Sequence, residues 1–164
     1  MTIVFPTNTS PTKENSPKHH DDLLIMQAIS VLEQRMFKRG PYLERPQDVL
    51  QYLRLQLAGE TLEVFSAIFL DSRHRVVAYE PLFYGTIDSV KVYPRRILQR
   101  ALEYHCAAII IAHNHPSGDS NPSQCDKEIT TVLKDLLSKI DVRLLDHFII
   151  GEGEPYSFAE AGFI

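Results

Sequence analysis

Apolar residues recur along the chain with two periods, and the change from one to the other marks out the elements. From Asp22 onward, Ile25, Ala28, Ile29, Leu32 and Met36 fall at helical spacing and stop at Gly40-Pro41, a helix-ending pair. Pro46 suits the first position of a second helix, whose Val49, Leu50, Leu53 and Leu57 share one face ahead of Gly59. Residues 62–70 are then nearly continuous apolar sequence, closed by the turn-like Asp71-Ser72-Arg73. Further strands are predicted over residues 76–79 and, after Gly85, 86–93. Tyr93-Pro94 opens a helix with an inner stripe of Ile97, Leu98, Ala101 and Leu102. Residues 106–112 are apolar at every position, the pattern of a strand covered on both faces. Ser123 begins another helix, striped by Ile129, Val132, Leu133, Leu136, Leu137 and Ile140, and residues 144–150 form a further strand before a tail that adds a short one. Strands and helices mixed in this order predict an α/β (mixed α+β) sheet flanked by helices.

Residues 1–21 break this pattern. They hold three prolines and many Ser, Thr and Asn, too little apolar surface to offset the entropy of ordering, so a disordered arm is expected there. Its adjacent His19 and His20 read as solvated residues. Residues 22–41 then form a helical lead-in and 42–164 the main domain.

Length and charge narrow the classes. The chain has 164 residues, room for one real core, and 17 basic against 21 acidic residues give a net charge of −4. No basic field pulls it onto nucleic acid or an anionic membrane. No apolar run approaches the roughly 18 residues of a membrane span, and no signal-peptide pattern is read at the amino terminus. Cys106 and Cys125 are the only cysteines, which excludes a disulfide framework and points to a reducing, cytoplasmic setting.

The chemistry gathers in His113-Asn114-His115-Pro116-Ser117-Gly118-Asp119, followed by Ser123 and Asp126. Two histidines two residues apart on an extended chain face the same side. Asp126, on the first turn of the next helix, can swing its carboxylate back over the strand end. Two His and one carboxylate form a common zinc set that leaves a fourth position open. Ser123-x-x-Asp126 also fits a capping box, so Asp126 has a structural reading beside the metal one. Hydrolysis at such a site needs a base. Glu63 is the charge inside the apolar run 62–70, either a base or a strand-edge residue facing solvent; Glu80, before Pro81, is the alternative and reads as a loop residue.

His113-x-His115, seven residues, Ser123, two residues and Asp126 resemble the signature of JAMM (MPN+) metalloproteases. HNHPSGD, PSQCD and LLDHFIIG resemble, more closely, the RadC family of bacterial proteins over about residues 42–164. The resemblance implies a JAMM/MPN-like (cytidine-deaminase-like) three-layer fold, a curved mixed β-sheet flanked by helices, with Zn2+ held by His113, His115 and Asp126. Glu63-Val64-Phe65 matches the setting of the JAMM glutamate and so implies Glu63 as base. Ser123 would then hydrogen-bond the developing oxyanion.

The chain departs from these families in three respects. The helix-hairpin-helix module that often precedes RadC-like domains has no room ahead of residue 42. Asn114 stands where eukaryotic JAMM isopeptidases carry Ser or Thr, and their ubiquitin-gripping insertions are not seen.

The remaining candidates read as structural. Cys125 adjoins Asp126 but points about 100° away on a helix and is taken as a packing residue. Asp119 reads as a turn residue ahead of a partner that orients a ligand, Asp146-His147 as structural ahead of the same supporting role, and Arg95, Arg96 and Arg100 as a solvated helix face. The expected activity is zinc-dependent hydrolysis of a peptide or isopeptide-like amide in an unidentified peptide or protein. The rivals are a DNA-repair-associated nucleic-acid-binding or nuclease-like protein, which the acidic net charge does not support, and a non-catalytic accessory protein that keeps the metal site. The tripeptide HNH is not the nuclease motif of that name, which spreads over a hairpin and a helix.

Overall fold

A computed structural model describes residues 17–37, 46–86 and 91–164. Nine elements follow in chain order: α1 (Pro17–Phe37), α2 (Pro46–Leu57), β1 (Val64–Leu70), β2 (Val76–Tyr84), α3 (Pro94–Glu103), β3 (Ala108–Asn114), α4 (Gln124–Ser138), β4 (Arg143–Ile150) and β5 (Tyr156–Ser157). The strands form one sheet in the order β2-β1-β3-β4-β5. Pairing is antiparallel except between β3 and β4, which run parallel and are joined through α4. A parallel pair needs such a crossover, and its helix covers one face of the sheet.

Side-chain alternation along the central strands divides the core. Ile68, Leu70, Ala108, Ile110 and Ala112 pack with Val49, Leu53 and Leu57 of α2 and Leu32 of α1. Phe65, Ala67, Phe69, Ile109 and Ile111 pack with Ile97 and Ala101 of α3 and Leu133 and Leu137 of α4. This three-layer arrangement explains why β1 and β3 are buried at every residue and read as unbroken apolar runs. It also assigns faces at the strand ends: by period two, Glu63, Phe65 and His113 lie on the α3/α4 side, and Asn114 lies on the α2 side.

Several boundaries differ from the sequence expectation. α1 begins at Pro17, so residues 17–21 of the expected arm are helical; residues 1–16 and the Gly40-Pro41 stop lie outside the described residues. β2 runs through Pro81 to Tyr84 rather than ending at Tyr79. Proline is tolerated there because β2 is an edge strand and the ladder with β1 shifts register between Phe65 and Ser66, opposite Phe83 and Pro81. Of the strand expected over 86–93, residues 87–90 lie outside the described residues, and Thr86 and residues 91–93 are not in a strand. Leu102 and Val132, expected on inner stripes, are exposed.

Candidate metal centre

His113 is the penultimate residue of β3, paired with Phe65 on one side and Ile149 on the other. Its imidazole is fully buried and stacks on the Phe65 ring at 5.9 Å. Beyond the strand, the His115 N–H still donates to the Ile150 carbonyl at 2.9 Å. The chain therefore stays extended one residue longer, and His115 keeps the parity of His113. The two Nε2 atoms lie 3.0 Å apart. His115 Nδ1 lies 2.6 Å from the Asp119 carbonyl oxygen, which can only accept, so Nδ1 carries hydrogen. Asp119 thus serves twice: its carbonyl fixes His115, while its carboxylate takes the Asn121 N–H at 2.9 Å and makes the expected turn.

The helix start supplies the carboxylate. Ser123 is the N-cap of α4, with its Oγ accepting from the Asp126 N–H at 3.1 Å and Asp126 Oδ2 accepting from the Ser123 N–H at 2.8 Å. The Ser123 hydroxyl donates to the same Oδ2 at 2.6 Å. Asp126 Oδ1 is left 3.2 Å from His113 Nε2, and Oδ2 lies 3.7 Å from His115 Nε2. The capping box is therefore present, and the same carboxylate also faces the histidines. Oδ2 closes the helix end, and Oδ1 turns to His113.

Glu63 completes the group. Its N–H donates to the Thr86 carbonyl and its own carbonyl accepts from Gly85 N–H, each at 2.8 Å, which extends the β1–β2 ladder past the strand end. The residue is 6% exposed, so Glu63 is not the solvent-facing edge residue of the alternative reading. Its Oε1 lies 3.9 Å from His113 Nε2. Glu80 is placed elsewhere: it lies in β2 opposite Ala67, not in a loop, and its carboxylate accepts from Arg100 Nε at 2.6 Å and pairs with Arg96 at 3.5 Å. Arg96 and Arg100 are correspondingly ion-pair partners rather than merely solvated. Cys125 is exposed and outside the cluster.

Charge and burial set the protonation. Burial opposes ionisation of Asp126, but the adjacent His113 and His115 rings and the Ser123 hydroxyl outweigh this and hold the carboxyl well below the usual range. Asp126 in turn raises His115 above its ordinary value, against the effect of burial. His147 is pushed well down by complete burial.

The donor set suits a divalent cation. One donor atom from each of Glu63, His113 and His115 can be chosen within 4.8 Å of the others. Two imidazole nitrogens facing each other at 3.0 Å, with carboxylate oxygens alongside, leave only acceptors converging unless a proton or a cation lies among them. Asp126 adds a second carboxylate. His115 is the more open edge, its side chain 18% exposed against 1% for His113.

Sequence reasoning took His147 as structural, with support of a ligand as the lesser alternative, and missed Thr130. His147 Nε2 lies 2.9 Å from His113 Nδ1, and Thr130 Oγ1 lies 2.7 Å from His147 Nδ1. Asp146, by contrast, is structural, its carboxylate taking the Ala159 N–H and the Ser157 hydroxyl. Thr130 could have been found, since it lies one turn from Asp126 on the same helix face.

Helices on both faces of this mixed sheet, with a His-x-His strand end against a capped helix, make the fold JAMM/MPN-like. Residues 43–163 match the RadC-like JAB domain, and the chain belongs to that family. It is similar to a UPF0758 protein of Azotobacter vinelandii, 54% identical over 127 residues that make up 77% of this chain and 57% of the relative. A UPF0758 protein of Vibrio cholerae is 45% identical over 149 residues, 91% of this chain and 93% of the relative. The chain thus spans little more than half the length of the first relative and nearly all of the second. Among the described residues, no helix is long and apolar enough to cross a membrane.

Proposed function

We propose that the chain is a zinc-dependent amide hydrolase of JAMM type, acting on a peptide or isopeptide-like bond. The observation that carries this reading is that His113 Nε2 has His115 Nε2 at 3.0 Å, Asp126 Oδ1 at 3.2 Å and Glu63 Oε1 at 3.9 Å; of the two carboxylates, Asp126 is assigned to the ion and Glu63 to the base. His113, His115 and Asp126 would hold the ion. When bound, zinc polarises a carbonyl and lowers the pKa of water to about 7.

The chain's own residues do the rest. Glu63, buried and next to His113, accepts a proton from the attacking water and returns it to the leaving nitrogen. Ser123 now gives its hydroxyl hydrogen to Asp126 Oδ2. A rotation of that hydroxyl lets it donate instead to the oxygen on which negative charge develops. His115, at the open edge, lies where the substrate carbonyl enters.

The test uses metal analysis of the purified chain and of folded His115→Ala and Asp126→Ala variants, followed by a screen with peptide and isopeptide substrates. The reading expects about one zinc per wild-type chain, loss of zinc in both variants, and Glu63→Gln retaining zinc while losing turnover. Full zinc in both folded variants removes it.

A further inference from the structure

A network of hydrogen bonds runs behind the metal centre, and its direction can be deduced from one end. The Thr130 hydroxyl lies 2.5 Å from the backbone carbonyl of Asp126, one turn back on α4, and 2.7 Å from His147 Nδ1. A carbonyl oxygen can only accept, so the single Thr130 hydrogen goes to it. Thr130 Oγ1 must then accept from His147, which places the hydrogen on His147 Nδ1. His147 is fully buried, stacked on Phe158 at 4.7 Å and tilted against Phe65, with both ring nitrogens taken up by Thr130 and His113. A neutral imidazole carrying its hydrogen on Nδ1 has a bare Nε2. That nitrogen lies 2.9 Å from His113 Nδ1 and accepts from it. His113 therefore holds its hydrogen on Nδ1, and the lone pair is on Nε2, facing Asp126 and His115.

We propose that His147 and Thr130 are positioning residues for the metal centre, fixing His113 in the Nδ1–H tautomer whose Nε2 lone pair is ready for a cation. The inference rests on the zinc-site reading above and deepens it. Metal-ligating histidines commonly donate their remote N–H to a carboxylate, a carbonyl or water, and loss of that partner lowers metal affinity. Here the acceptor is a second imidazole, which could point either nitrogen at His113. Thr130 removes that ambiguity, and the helix backbone in turn fixes Thr130. The same helix turn presents Asp126 through its side chain and steers His113 through its carbonyl, so two of the three ligands are oriented from one place on α4.

Two measurements separate this relay from the site it serves. The first needs no metal: side-chain 15N–1H correlation spectra of the metal-free chain read histidine tautomers directly. The expected spectrum shows His147 and His113 both as Nδ1–H forms; a Nε2–H form at His147 overturns the relay. The second is zinc affinity, measured by chelator competition, in His147→Leu, His147→Gln and Thr130→Val. His147→Leu should weaken zinc about 10- to 100-fold. His147→Gln, whose amide can accept from His113 and donate to Thr130, should recover most of that. Thr130→Val removes the oxygen with little change in shape, and keeps the test available if His147→Leu does not fold. It should weaken zinc and mix the two His147 tautomers. Wild-type zinc affinity in folded His147→Leu or Thr130→Val contradicts the proposal. If the wild-type chain binds no zinc, the hydrolase reading fails, and the tautomer spectrum still decides the relay.

Discussion

The Asn114 side chain accepts the Val64 N–H through Oδ1 at 2.8 Å, tying the end of β3 to the start of β1. Its amide nitrogen reaches the carbonyls of Leu62 and Glu60 at 3.0 and 3.3 Å. Glu63 is thus held between two residues that share one clamp, and the clamp is the residue between His113 and His115. The geometry couples the expected base to the ligands through the backbone, on the opposite face of the sheet from His113.

Asn114→Ala follows from that coupling. Asn114 is 3% exposed, and its loss leaves the Val64 N–H and two carbonyls short of a partner, a destabilisation of about 1–3 kcal/mol. Metal affinity should change little, because neither histidine loses a bond, whereas a displaced Glu63 should cost about 100-fold in turnover. Parallel assays of zinc content and of hydrolysis check the split; equal losses in both contradict it.

Gly151 makes a second prediction. A Cβ there would run into the Gly118 carbonyl and lie 2.9 Å from the Ser120 nitrogen. Those residues flank Asp119, whose carbonyl holds His115. Gly151→Ala should therefore push that loop away, lower the melting temperature and weaken zinc. Chelator competition together with thermal unfolding reads both, and an unchanged zinc affinity would show that the loop does not set His115.

The pH dependence has a definite sign. Asp126 raises the His115 pKa above its ordinary value of 6.5, so below that raised value the cation must displace a proton. Zinc affinity should rise about tenfold per pH unit from acid upward and level off once the raised His115 value is passed. In the metal-free chain the same interaction acts on folding in the opposite sense. A raised histidine stabilises fully below 6.5, and that contribution is lost as pH rises through the folded value. Calorimetric proton release on zinc binding, measured across buffers, checks the sign.

Glu80→Gln is the control for the base. Its carboxylate is bound to Arg100 and Arg96 rather than to the histidines. The pair is partly exposed, so its loss should cost no more than about 1 kcal/mol, with zinc and turnover intact. A Glu80→Gln chain that keeps zinc and loses hydrolysis would transfer the base role away from Glu63.

Much of this was legible in the sequence because it follows from period and parity. The apolar run of β3 announced a strand covered on both sides, and the His-x-His spacing put both imidazoles on one face. Ser123 and Asp126 were readable as a cap, and in the structure the spare oxygen of that cap faces His113. What stayed hidden depends on register between strands. Glu63 is buried because residues 85 and 86 extend the ladder beside it, which local composition at 60–63 does not reveal. Pro81 suggested a loop because nothing in the sequence marks β2 as an edge strand. His147 reaches His113 only through the parallel pairing of β3 with β4, a contact across 34 residues.

Diffraction at the zinc absorption edge from crystals of the zinc-loaded chain locates the ion itself. One anomalous peak is expected at about 2.0–2.2 Å from His113 Nε2, His115 Nε2 and an Asp126 oxygen, with Glu63 beside it. A peak bound elsewhere, or no peak among these residues in a zinc-saturated crystal, would contradict the zinc-site reading.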